Sequence, residues 1–272
     1  MNELSSGTLE VRGATLSFDV REGTGPTVVA LHGLGSSRAN DVASKIFDWS
    51  PAIGRGRRLV RYDARGHGHS AVRQATPEDF TWPRLAEDLL DLLEVVSPDE
   101  PVDALGISMG AATLLHAAIR APERFRRLAL VIPPTAWATR DAQREMYLQM
   151  AGLVEARGAA ALAAAAAAAP PLPLLAEGGW TLPTFDIAEG ATAAILRGSA
   201  ATDLPDPEAL MSIRQPVLLR PWINDPTHPL STAERLADLI PHASTDTMTT
   251  AAQVQALTGQ VAEFFEIPET EL

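Results

Sequence analysis

VDALGISMGAATLLHAAIR, residues 102–120, is the stretch that decides the fold. It begins as a short apolar run of strand type and ends with the apolar spacing of a helix. Between the two stands GISMG, residues 106–110, a Gly-x-Ser-x-Gly pattern. A strand that becomes a helix within so few residues puts the apex residue, Ser108, on a tight, strained turn that needs small neighbours. The helix that follows aims backbone N–H groups near that serine, where they favour developing negative charge. A serine hydroxyl is a poor nucleophile until its proton is removed, so the rest of the chain must be searched for a base.

Outward from this stretch, apolar runs alternate with helical patterns. TLEVRG and TLSFDVREG near the N-terminus have period-2 alternation with Gly between them, as in a hairpin. TVVALHG (27–33), RRLVRYDARG (57–66), RLALVIPP (127–134) and PVLLRPW (216–222) read as strands, the first as one buried on both faces. TWPRLAEDLLDLLEVV (81–96), STAERLADLI and VQALTGQVAEFFE read as helices, and ASTDTMT as a last strand. The alternation predicts an α/β protein with a doubly wound, mostly parallel sheet. Residues 135–213 break the pattern, being Ala-rich and helical, and far longer than an ordinary connection. The expected organisation is a core of residues 1–134 and 214–272 with a helical cap insertion over 135–213.

Composition narrows the function. The net charge of −12 disfavours nucleic acid and anionic membranes as partners, because no basic patch is available to neutralise phosphates. No cysteine is present, which excludes disulfides, thiolate metal sites and a cysteine nucleophile. The N-terminus has neither the basic nor the apolar region of a signal peptide. The most apolar stretch, GAAALAAAAAAAPPLPLL from Gly158, is Ala-dominated and broken by Pro170, Pro171 and Pro173. It reads as a short helix ending at prolines rather than a membrane span. The expectation is a cytoplasmic, cofactor-free protein acting on a small molecule.

Two further stretches bear on chemistry. LHGLGSS (31–37) follows a buried strand, and its glycines let the backbone approach a ligand closely. There the N–H of Leu34 could pair with that of Met109 as an oxyanion hole. YDARGHGHS (62–70) holds His67 and His69, but His-x-His without further ligands is a weak metal pattern, and a structural loop is the expected role. No metal site is expected.

Taken in order, the HG after one strand, the D-x-R-G-H-G-x-S loop after the next and G-x-S-x-G after the third resemble the α/β-hydrolase fold superfamily. So does the insertion ahead of the PVLL strand. The resemblance covers roughly residues 8 to 266. It implies an acid after the strand that follows the cap, where Asp225 falls in INDPTHPL. It also implies a histidine after the last strand, and there the chain departs from the pattern. Laid without gaps, the region ASTDTMTTAAQVQAL puts Gln253 at the histidine's place, and glutamine cannot accept the proton.

Of the six histidines, His228 is the best replacement, because it lies on the same loop as Asp225. Asp225 could hold its Nδ1–H while Nε2 faces Ser108; triads are recognised by geometry and not by chain order. The expected catalytic set is Ser108, Asp225 and His228, with Trp137 and Trp222 as substrate-binding aromatics. The leading expected function is hydrolysis of a small ester, lactone or related carbonyl compound. The alternatives are a lyase, cyclase or decarboxylase-like enzyme using the oxyanion pocket alone, and a ligand-binding protein without turnover. Arg and Leu on the cap are compatible with a homodimer.

Overall fold

The computed structural model describes residues 4–53 and 56–268. The β-branched and leucine-rich runs form strands β1 (Leu4–Val11), β2 (Ala14–Arg21), β3 (Gly25–Leu31), β4 (Arg57–Tyr62), β5 (Ala71–Val72), β6 (Val102–Ile107), β7 (Phe125–Val131), β8 (Val217–Arg220) and β9 (Ala243–Thr245). Between them run helices α1 (Arg38–Ser44), α2 (Ser50–Ile53), α3 (Trp82–Val96), α4 (Met109–Arg120), α5 (Arg140–Arg157), α6 (Ala159–Ala168), α7 (Pro173–Glu177), α8 (Thr192–Ala200), α9 (Pro207–Leu210), α10 (Leu230–Leu239) and α11 (Ala251–Glu266).

Among the described residues the strands form one sheet in the order β1-β2-β4-β3-β6-β7-β8-β9, with β5 paired to β2. Strands β4 to β9 along this order are parallel, and the β1–β2 hairpin joins them antiparallel. The expected mostly parallel α/β sheet is therefore present. Every residue of β6 is buried, which is why its sequence shows no polar alternation; its one charged residue, Asp103, is paired with the buried Arg57. One core packs α3 and α4 on one face of the sheet, and a second packs α2 and α11 on the other. From β3 the chain steps to β4 on one side and returns to β6 on the other. The crevice beyond the carboxyl ends of β3 and β6 is the place where such sheets bind ligands.

Residues between β7 and β8 carry α5 to α9 and no strand of the sheet. The poly-alanine run is α6, which stops before Pro170 as proline requires. A small cluster of Ala151, Leu162 and Leu196 joins α5, α6 and α8. The buried Arg140 on α5 anchors this segment to the core. Its guanidinium donates to Thr202 O at 3.1 Å and Thr135 Oγ1 at 3.1 Å, and it stacks over Trp82 at 4.3 Å. Among the described residues no helix is long and apolar enough to cross a membrane.

Candidate active site

Ser108 lies between β6 and α4 with φ 51° and ψ −108°, a conformation that non-glycine residues seldom adopt. The two flanking glycines explain the motif. A Cβ on Gly106 would lie 2.4 Å from the carbonyl of Gly110, and one on Gly110 would lie 2.6 Å from Leu31 O. Only glycine lets the turn close against β3 and the start of α4. Ser108 N donates to Val131 O at 3.0 Å, which fixes the turn to β7.

The loop after β3 runs beside this turn; a Cβ built on Gly33 would touch Ser108 Cβ at 3.6 Å. His32 secures the loop by donating from Nδ1 to Gly33 O at 2.8 Å and accepting Ala64 N–H at Nε2 at 2.9 Å. Burial lowers its pKa and keeps it neutral for that role. Leu34, on the loop after β3, lines the same cavity as Ser108, and Met109 opens α4; the N–H group of neither meets an acceptor among the described residues. His67 and His69 belong to the loop after β4. His67 bonds Arg65 O through Nδ1 at 3.0 Å, and His69 N donates to Asp63 Oδ2 at 3.0 Å. Among the described residues no group of three or more His, Cys, Asp or Glu side chains is arranged to hold a metal ion.

The loop after β8 brings the remaining groups. Asp225-Pro226-Thr227-His228 forms a tight turn in which His228 N donates to Asp225 O at 3.2 Å. Proline at the second position and an aspartate at the first are the residues such turns favour. Asp225 also folds its own side chain over the turn, its Oδ1 accepting Thr227 N at 3.0 Å and Thr227 Oγ1 at 2.6 Å. Its Oδ2 accepts Trp222 Nε1 at 2.7 Å and His228 Nδ1 at 2.7 Å. The far ring nitrogen, His228 Nε2, stands 2.8 Å from Ser108 Oγ. The three side chains named from the sequence therefore form one hydrogen-bonded chain. Burial works to raise the Asp225 pKa, but the donors from His228, Thr227 and Trp222 outweigh it and hold the carboxyl well below the usual range.

Gln253, which cannot serve as a base, has a structural task. It is the third residue of α11, and its Oε1 accepts Thr249 N at 2.7 Å and Thr250 N at 3.1 Å, while Thr250 Oγ1 accepts Gln253 N. This is a capping box, legible in the sequence as Thr250-Ala-Ala-Gln253.

A cavity of about 290 Å3 opens beside Ser108 and His228. Phe47, Ile107 and Ile132 form its floor, and Met146, Tyr147, Met150, Leu182 and Phe185 from the segment between β7 and β8 cover it. Sequence reasoning placed Trp137 and Trp222 against substrate, and the structure corrects this: neither is on the cavity wall. Their indole N–H groups are engaged elsewhere, Trp222 with Asp225 and Trp137 with Pro205 O at 3.1 Å. Asp41, which no motif singled out, does line the cavity.

A sheet with its crevice at the switch point, a strained serine on a strand-to-helix turn and a histidine bonded to it define a class of fold and site. The alpha/beta hydrolase fold family model matches residues 26–251, and the chain belongs to that family. It is 31% identical over 167 residues to 3-oxoadipate enol-lactonase 1 of Acinetobacter baylyi, a match covering 60% of this chain and 56% of that protein. It is 32% identical over 130 residues to an sn-1-specific diacylglycerol lipase of Xenopus laevis, covering 46% of this chain and 38% of the lipase. The matches thus span about half or less of these relatives' length. In fold, the enol-lactonase of Burkholderia xenovorans LB400 superposes with a TM-score of 0.76 at 22% identity, covering 96% of this chain and 100% of that one. A thermophilic esterase of Thermogutta terrifontis superposes with a TM-score of 0.71 at 20% identity, covering 93% of each chain.

Proposed function

We propose that this chain is a serine hydrolase of small esters, lactones or related carbonyl compounds. The observation that carries the reading is the 2.8 Å contact between His228 Nε2 and Ser108 Oγ, with His228 Nδ1 held 2.7 Å from Asp225. His228 takes the proton of Ser108 as Oγ attacks the carbonyl carbon. The N–H groups of Leu34 and Met109 hold the oxyanion, and residues 135–213 act as a cap that shapes the acyl pocket. The tetrahedral intermediate collapses to an acyl-serine as His228 protonates the leaving oxygen. Water, deprotonated by the same nitrogen, then releases the acid and restores the Ser108 hydroxyl. Asp225 stays ionised throughout, fixing the histidine tautomer and stabilising the imidazolium. Homologous proteins named as a lactonase and a lipase support hydrolysis of a carboxylic ester bond. The non-hydrolytic alternatives rested on the missing C-terminal histidine, and His228 Nε2 at 2.8 Å from Ser108 Oγ supports the hydrolytic reading over them.

The test is the intact mass of the protein after exposure to an uncharged fluorophosphonate. Wild type is expected to gain one adduct and Ser108→Ala none. His228→Ala should label about 10²–10⁴-fold more slowly. A wild type that does not label would overturn the serine mechanism, and an unchanged rate in His228→Ala would remove His228 as the base.

A further inference from the structure

Asp41 lines the cavity beside Ser108, although no step of the mechanism uses it. It sits in the first turn of α1 and is 8% exposed. Its Oδ1 accepts Ser36 Oγ at 2.8 Å, while its Oδ2 has no partner among the described residues. No guanidinium or ammonium makes an ion pair with it; Arg61, whose charge acts on it, is bonded to Asp19. A buried carboxyl with neither a counter-charge nor a second donor is held more easily as the neutral acid. The Ser36 hydroxyl occupies Oδ1, so the acid proton falls to Oδ2.

The polar side chains around it have spent their donors within the wall. Ser36 donates to Asp41 itself, and Ser44 Oγ donates to Asp41 O at 2.6 Å. Thr227 Oγ1 donates to Asp225 Oδ1 at 2.6 Å, and Asn40 Nδ2 to Thr184 O at 2.8 Å. Gln143, buried on α5, is bonded to Tyr147. The Asp41 O–H is thus a donor that the fold leaves unspent on the cavity wall. Burial pushes the carboxyl up to about 8, with Asp63 and Asp48 adding to it and Ser36 and Arg61 acting against it. Of the other titratable groups on the cavity, Tyr147 is held neutral by burial, and His228 belongs to the catalytic chain.

Resting on the reading of the site as a serine hydrolase, we infer that Asp41 is a specificity-determining residue whose Oδ2–H donates to an uncharged oxygen in the substrate's acyl portion. The substrate is then an oxo- or hydroxyacyl ester or lactone, and not one with a plain alkyl chain. A plain chain would leave the buried O–H without an acceptor, and a site built around a hydrogen bond rejects such an analogue. Once ionised, Asp41 has only lone pairs to offer a keto oxygen, which itself only accepts. The preference must therefore fade as the carboxyl loses its proton.

The test compares p-nitrophenyl 4-oxopentanoate with the pentanoate, and the 5-oxohexanoate with the hexanoate. Each ratio of kcat/KM is divided by the ratio of the uncatalysed rates. At pH 6.5 wild type is expected to favour the oxo ester at least about fivefold in one pair. By pH 9 most of that preference should be gone. His228 titrates alike for both members of a pair, so the ratio follows Asp41. Asp41→Asn, whose amide keeps a donor where Oδ2 stood, should hold its preference from pH 6.5 to 9, and Asp41→Leu should have none. No preference in either pair, or a wild-type preference that persists unchanged at pH 9, would overturn the inference. Equilibrium dialysis of the corresponding ethyl esters against Ser108→Ala separates this inference from the hydrolase reading. If wild type turns over none of the esters, the serine mechanism fails, while the ratio of Kd values at pH 6.5 still decides whether Asp41 recognises the oxygen.

Discussion

Asp225 receives four donors on one carboxylate, and each has a distinct consequence. The two from Thr227 set the turn, the one from Trp222 fixes the carboxylate plane, and the one from His228 fixes the base. Asp225→Asn should therefore preserve the turn yet present an amide to Nδ1, favouring the wrong tautomer. Steady-state kinetics on a neutral ester are expected to show kcat lowered by about 10³–10⁴-fold with KM changed far less. If KM rises and kcat holds, Asp225 serves binding and not the base. The residue-scale chemistry was legible where it was local. Asp225 and His228 share one short loop, so their nearness followed from spacing, whereas their reach to Ser108 depended on the sheet. Gln253 also carried a local signal that the gapless alignment did not use, the Thr-x-x-Gln capping box. Asp41 left no such signal. In its sequence it is an acid in the first turn of a helix, where acids are common, and only the fold buries it in the cavity.

The turn from β6 into α4 is the element on which the site depends, and its glycines are held by contact with β3. Gly110→Ala sets two effects against each other. Alanine is the better helix former by roughly 1 kcal/mol. Its Cβ, however, would meet Leu31 O at 2.6 Å, a backbone atom within the sheet that cannot rotate away. Overpacking of this kind costs about 1–3 kcal/mol and should win, because Leu31 cannot move without pulling β3 from β6. Calorimetry is expected to show Tm lowered by roughly 2–8 °C, against the rise that propensity alone would give. A higher Tm in the variant would mean that β3 yields at no cost. The strands themselves were readable because continuous apolar runs of the right length admit few other fates in an α/β chain. The helices between β7 and β8 were readable as helices, but where they pack was not. A run such as Ala159–Ala168 has no distinct apolar face to assign to a partner. That is why Trp137 was placed against substrate, while Met146 and Leu182 stand on the wall.

At the scale of the whole molecule, loops after β3, β6 and β8 converge only because the sheet reverses its winding between β3 and β6. Convergence also gathers the charges whose ionisation is linked to folding. Two buried carboxyls act on stability with opposite signs. The Asp225 pKa is depressed, so its contribution is present above the unfolded value near 3.9 and is lost as pH falls below it. The Asp41 pKa is raised to about 8, so between roughly pH 4 and 8 the folded chain holds a proton there that the unfolded chain has released. In that window the unfolded state binds fewer protons, and stability must fall as pH rises. The cost comes mainly from burial; Ser36 and Arg61 reduce it, while Asp63 and Asp48 add to it. Asp41→Asn removes the titrating group and keeps a side chain of similar shape. Relative to wild type the variant should lose or gain little at pH 5 and melt at least about 3 °C higher at pH 9, the difference growing through the window. Thermal melts of both proteins across pH 5–9 check this directly. A constant difference across that range would mean that Asp41 is ionised in the fold at all these pH values. The cavity beside Ser108 would then have to hydrate a carboxylate that the fold leaves only 8% exposed.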